Sequence, residues 1–334
     1  MRNLGSGWVT GAALLALAMD GGAARAAEPV TFVLNWVAGG DHAPVYWAKE
    51  QGWYADAGID LTIEEGRGSA ASVQKVGAGA AAFGIADMAT ALQGRGEGAD
   101  VVGVMAIYAN NPYGVYWKKS SGIQDMQDLQ GKKIGNPPSD AARQMWPAIA
   151  DAVGLPGDSV EWINIKPDAK IQSLRAGVID ATTSFYNLHY VFERVFGDDM
   201  GFVALRDIGF NPYGNSIVVN GDYMREHPQV VEGFVKVTQK AYATCLESPD
   251  PCNQALADAA SQKIDDVEAN WELVVELMDH PVTRENALGY FDPARMEQDY
   301  KWVHASFDIE PYDVQEAYTN EFLDTSVKMQ DTGG

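Results

Sequence analysis

Asn35-Trp36, His42 and Tyr46 bring an amide, two aromatic faces and an imidazole into one short stretch of the chain. Trp36 closes an apolar run, and Tyr46 stands one helical turn beyond His42, so the two share a helix face. An indole at a cleft edge can stack a heteroaromatic ring, worth about 0.5–1.5 kcal/mol beyond the area it buries. The Asn35 amide donates and accepts, which suits the edge of an aminopyrimidine or a ring amide. Gly66-Arg67-Gly68-Ser69 precedes a helical stretch starting at Ala70, so backbone N–H groups and the Ser69 hydroxyl offer an anion or carbonyl site. Asp87, after the apolar run Phe83–Ala86, either caps the next helix or accepts from an amino-bearing ligand. A second set follows. Ser139 and Asp140 precede a helix starting at Ala141, and Tyr186 and Asn187, behind Thr183 and Ser184, follow a strand near Ala181. The candidate ligand contacts are therefore Asn35, Trp36, His42, Tyr46, Gly68, Ser69, Asp87, Ser139, Tyr186 and Asn187.

Each has a plainer structural role in competition. Asn35 can cap its own turn, Arg67 can pair with Glu64 or Glu65, Asp180 fits a structural position, and Trp47 and Trp53 fit a helix packed on its sheet. Nothing in the chain argues for catalysis. There is no nucleophile elbow, zincin helix or phosphate loop, and the five histidines (42, 189, 227, 280 and 304) show no ligand spacing. We expect a binding protein with no cofactor and no metal.

The elements that must position these residues alternate. Strand-like runs fall at 31–34, 60–64, 83–86, 101–108, 115–117, 133–135, 160–165, 181–185 and 216–220, with helical stretches at 70–78, 141–153 and 170–177 between them. That alternation predicts mostly parallel sheets with helices on both faces. Beyond about residue 222 only helical patterns remain, at 227–246, 265–277 and 293–306. The sequence Asn-Pro-Tyr-Gly occurs at 111–114 and again at 211–214, each time before an apolar strand. Two such marks around one α/β block predict a hinge of two crossovers. The expected division is 27–112 with 213–334 as lobe 1 and 113–212 as lobe 2.

Residues 1–26 have the form of a secretory signal: Arg2, an apolar core from Val9 to Ala18, and Ala24-Arg25-Ala26 as a cleavage site. The apolar run is too short to span a bilayer, so a protein exported to the periplasm, without membrane insertion, is expected. The formal charge of -22 argues against nucleic acid and anionic membrane surfaces as partners. Cys245 and Cys252, the only two cysteines, flank a Pro-rich segment and predict a local disulfide in an oxidising compartment.

Several of these stretches together resemble the periplasmic solute-binding proteins of ABC importers, in the NMT1/THI5-like branch shared with yeast-type thiamine-pyrimidine synthases. The matching residues are Asn35-Trp36, His42 to Tyr54, Ala57-Gly58-Ile59-Asp60, Phe83-Gly84-Ile85-Ala86-Asp87, Asp128 to Gly135, Gly177-Val178-Ile179-Asp180-Ala181 and Tyr318 to Leu323. The resemblance implies a type II two-lobed binding-protein fold, a small-molecule ligand held between the lobes, a permease and ATPase as partners, and a monomer. Trp36, Tyr46 and Tyr186 beside amide and carboxylate groups, with few cations, favour a planar nitrogen heterocycle such as a thiamine-precursor pyrimidine, with riboflavin, aromatic carboxylates or sulfonates as other ligands of the family. The synthase relatives carry a cysteine cluster for iron before the second crossover, where this chain reads Arg206-Asp207-Ile208-Gly209-Phe210-Asn211-Pro212. Binding is expected rather than synthesis, with a pyrimidine synthase or a sensory domain as competing classes.

Overall fold

The alternation of strands and helices resolves into two five-stranded sheets with helices on their faces. The structure, a computed structural model, describes Met1 and residues 26–330. The expected leader otherwise lies outside the described residues. The first sheet contains β1 (Glu28–Val33), β2 (Ile59–Glu64), β3 (Phe83–Asp87), β4 (Val101–Ala106) and β10 (Asn215–Asn220), in the order β2-β1-β3-β10-β4. The second contains β5 (Tyr113–Lys118), β6 (Lys133–Asn136), β7 (Glu161–Asn164), β8 (Ala181–Phe185) and β9 (Met200–Ala204), in the order β7-β6-β8-β5-β9. In each sheet four strands share one direction and one runs against them: β10 is antiparallel to β3 and β4, and β5 to β8 and β9. The reversed strands are the ones that follow the two connections between the sheets.

Those connections run side by side. The Asn211 side chain accepts from the Asn111 backbone N–H at 2.7 Å, so the two Asn-Pro-Tyr-Gly segments touch. Helix Pro293–Ser306 lies across them. Arg295 donates to the carbonyls of Ala109 at 2.6 Å and Asn211 at 3.2 Å, one from each connection, and its guanidinium lies over the Tyr213 ring. Four residues on, Asp299 accepts the Tyr213 N–H at 2.9 Å, and burial pushes its carboxyl up to about 7. The same helix packs on Met88–Gly96 beside the first sheet and on Trp146–Ala152 beside the second.

Apolar residues explain the packing. Phe32 and Phe83 on the first sheet meet Phe234 of helix Pro228–Glu247, the last two rings stacked at 4.0 Å. Cys245 near the end of that helix is bonded to Cys252. Cys252 sits inside a new helix, Pro249–Ala260, rather than in an open turn, because Pro249 occupies a first-turn position where its missing N–H costs nothing. The long helix read over 141–153 is divided: Ala141–Gln144 and Trp146–Ala152 are separate, with Pro147 in the opening turn of the second. Among the described residues no helix is long and apolar enough to cross a membrane.

Candidate functional site

A cavity of about 130 Å³ opens between the two sheets, at the carboxyl ends of β1, β6 and β8 and the start of β10. The carboxyl edge is where open α/β sheets hold ligands. The chain leaving β1 is fixed there by backbone bonds, with Gly66 N–H donating to Trp36 O at 3.0 Å and Gly68 N–H to Asn35 O at 2.7 Å. Gly68 itself has φ +123, and a Cβ there would stand 2.2 Å from the Ser139 carbonyl in the turn after β6 of the other sheet. Only glycine allows that approach.

On the first-sheet side two amides, an imidazole and the Asp41 carboxylate form a chain of hydrogen bonds. Asn35 Nδ2 donates to Asn215 Oδ1 at 3.0 Å, and Asn215 Nδ2 donates to Asp41 Oδ2 at 3.0 Å. Tyr242 OH donates to the Asp41 carbonyl at 2.6 Å. His42 Nδ1 accepts the Gly39 N–H at 2.9 Å, so its proton is on Nε2, which donates to Asn35 Oδ1 at 3.2 Å. Burial pushes the His42 pKa below its usual value, more strongly than Asp41 and Glu65 raise it. The 3.4 Å approach of Asp41 Oδ1 to Nδ1 is therefore not an ion pair.

The second-sheet side is built on a charged pair. Lys170 Nζ donates to Asp140 Oδ2 at 2.7 Å and to the Thr183 carbonyl at 2.9 Å. Asp140 also caps helix Ala141–Gln144, accepting from Arg143 N–H at 3.2 Å, and accepts from Asn136 Nδ2 at 2.8 Å. Both partners are buried, and the Lys170 ammonium lies 5.4 Å from the centre of the Trp36 ring.

The two sides meet directly. Ser139 Oγ donates to the Arg67 carbonyl at 2.6 Å, and Asn270 Nδ2 donates to the Asn187 carbonyl at 2.8 Å. Asn187 Nδ2 reaches Asn270 Oδ1 at 3.4 Å, while Asn187 Oδ1 is buried without a protein partner. An unpaired buried acceptor costs about 1–3 kcal/mol, and a donor on a ligand would recover it.

The structure brings Asn35, Trp36, Gly68, Ser69 and Asn187 into the cavity wall. His42, Tyr46, Asp87, Ser139 and Tyr186 are not part of that wall. His42 lies behind Asn35 with both ring nitrogens engaged. Tyr46 is half-buried, and burial, helped by nearby Glu65, raises its pKa. Asp87 caps helix Met88–Gly96 through Thr90, and burial lifts its carboxyl to about 6. Ser139 reaches the opposite turn instead, and the Tyr186 ring lies under the Arg206 guanidinium at 4.2 Å. The wall also contains Asp41, Asp140, Lys170, Phe185, Asn215 and Asn270. Asn215 directly follows the second Asn-Pro-Tyr-Gly, a signal that was available. Lys170 and Asn270 sit in ordinary helical pattern and carry no local mark.

Residues 206–212 do not fit an iron cluster: Phe210 packs between Tyr113 and Trp302, and Asn211 holds the Asn111 backbone. Among the described residues no group of three or more His, Cys, Asp or Glu is placed to hold a metal.

Comparison with known proteins agrees with this architecture. The 4-amino-5-hydroxymethyl-2-methylpyrimidine phosphate synthase of Legionella pneumophila is 25% identical over 304 residues, covering 88% of this chain and 92% of that protein. Riboflavin-binding protein RibY of Chloroflexus aurantiacus is 23% identical, covering 89% and 86%. The formylaminopyrimidine-binding protein of Halalkalibacterium halodurans is also 23% identical, covering 84% and 86%. The fold is that of periplasmic binding proteins. The alkanesulfonate-binding protein SsuA of Xanthomonas axonopodis pv. citri, bound to MOPS, superposes with a TM-score of 0.67 at 14% identity, covering 87% of this chain and 98% of that one. The family model described as NMT1/THI5 like matches residues 40–252. This chain belongs to the NMT1/THI5-like family.

Proposed function

We propose that this protein is the solute-capturing component of an ABC importer, closing two lobes over a small planar nitrogen heterocycle of the thiamine-precursor pyrimidine type. The lobes are residues 27–112 with 213–334, and 113–212. The ligand is handed to a permease and its ATPase, and the protein works in the periplasm after its leader is removed. Binding better to the closed form than to the open one is what drives closure.

The observation that carries the reading is the cavity itself. At about 130 Å³ it is close to the volume of about 150 Å³ that accepts a single benzene ring. Trp36 and Phe185 supply aromatic surface, and Asn187 Oδ1 needs a donor such as an exocyclic amine. Kinship with a formylaminopyrimidine-binding protein supports the same class. Kinship with a riboflavin-binding protein keeps a flavin as the second ligand class. A synthase role has support from the Legionella relative but no thiol ligands at 206–212.

The test is a thermal-shift and calorimetry panel of formylaminopyrimidine, 4-amino-5-hydroxymethyl-2-methylpyrimidine, riboflavin and an alkanesulfonate. A bound ligand raises Tm by mass action. Stabilisation by the pyrimidines is expected; a response confined to riboflavin or the sulfonate would overturn the ligand class.

A further inference from the structure

We propose, building on the pyrimidine reading, that the Lys170–Asp140 pair selects the charge of the ligand, admitting neutral rings with a hydrogen-bond acceptor and refusing anions. An ammonium has three N–H groups. Two of those on Lys170 go to Asp140 and the Thr183 carbonyl, and no third acceptor meets it among the described residues. Lys170 lines the cavity beside Trp36, so the remaining N–H is available to a ring nitrogen or formyl oxygen.

Its charge is already matched. Asp140 is held in place by Asn136 and by the Arg143 N–H it caps, so the carboxylate cannot swing away to make room for an anionic ligand. Asp41 is a second carboxylate in the same wall, and its nearest basic group, His42, is neutral. The lining therefore has two carboxylates against one ammonium. An anion entering it meets like charge in a buried setting, where such juxtaposition is strongly unfavourable. A neutral ring donating to Asn187 Oδ1 and accepting from Lys170 satisfies both groups.

Asp140→Asn separates charge from structure, because an Asn oxygen caps a helix as well as an Asp oxygen does. Lys170→Met removes the opposite charge at similar volume. The probes are 4-amino-5-hydroxymethyl-2-methylpyrimidine, the pyrimidine carboxylate orotate, and the cation 4-amino-1-methylpyridinium, titrated calorimetrically into wild type and both variants. Asp140→Asn should strengthen orotate binding about tenfold or more, and Lys170→Met should weaken the neutral pyrimidine about tenfold while favouring the pyridinium. The proposal is overturned if folded variants keep the wild-type order of the three probes, or if wild type itself prefers orotate. Should Lys170→Met not fold, Asp140→Asn decides alone. Failure of wild type to bind the neutral pyrimidine would instead overturn the ligand class, since the charge exchange is read independently from orotate and pyridinium.

Discussion

The two regions that face each other across the cavity differ in charge in one way and furnish the cavity in another. Residues 27–112 with 213–334 hold 12 basic against 33 acidic side chains, whereas 113–212 hold 10 against 12. Yet the strongly acidic region lines the cavity mainly with amides, and the nearly balanced one supplies the ion pair. Surface charge and site charge are therefore separate properties. The acidic surface governs solubility and long-range fields, while ligand choice rests on a few buried groups.

The difference also concerns what each side risks. A buried ion pair is expensive to break, because removing one partner strands a charge. A chain of amides loses one hydrogen bond at a time. Lys170→Ala should therefore be the largest perturbation, lowering unfolding free energy by about 3–5 kcal/mol in urea denaturation. Loss below about 1 kcal/mol would place the pair among solvated surface bridges. Asn215→Leu should cost about 1–3 kcal/mol by the same measurement, since it leaves Asn35 Nδ2 and Asp41 Oδ2 without their partner. Equal losses for the two variants would erase the contrast. Trp36→Ala, which touches neither network by hydrogen bond, should leave folding nearly unchanged and weaken ligand binding at least about tenfold by calorimetry, or about 1.4 kcal/mol. Unchanged affinity would remove Trp36 from the site.

The smallest effect is a slope. Burial holds the folded pKa of His42 below the ordinary 6.5, so the unfolded chain takes up the proton first. Stability from neutral His42 is complete above about 6.5 and falls as the pH drops below it. Asp87 and Asp299 act with the opposite sign. Their folded carboxyls, raised to about 6 and about 7, favour the native state at low pH, and that contribution is lost as the pH rises through those values. The difference in stability between wild type and His42→Gln should therefore shrink as the pH falls from about 7 to about 5. A difference that stays constant would mean His42 does not titrate between the two states.

Much of this was legible in the residues, for reasons that are local. The strands of both sheets announced themselves by apolar runs, and the paired Asn-Pro-Tyr-Gly segments marked the places where the chain changes sheets. β9 did not, because Met200–Ala204 is a short mixed stretch whose strand character comes from pairing with β5. Site residues were legible where a strand hands over to a helix, as at Asn35-Trp36 and Gly68-Ser69. Side-chain direction was harder. Ser184, Phe185 and Asn187 all line the cavity, while the Tyr186 ring turns away under Arg206. Lys170 and Asn270 were hidden for another reason: each lies on a helix whose orientation is fixed by contacts about 30 to 80 residues away in sequence, at Asp140 and Asn187.

Helix Pro293–Ser306 has a practical consequence. Because Arg295 grips a carbonyl of each connection, the two strands are tied to one helix and to each other rather than running as independent threads. Any rearrangement of the two connections on ligand binding should then be felt by that helix. A fluorophore at exposed Glu297, which is on this helix and outside the cavity wall, would test that coupling by reporting on a solute bound elsewhere.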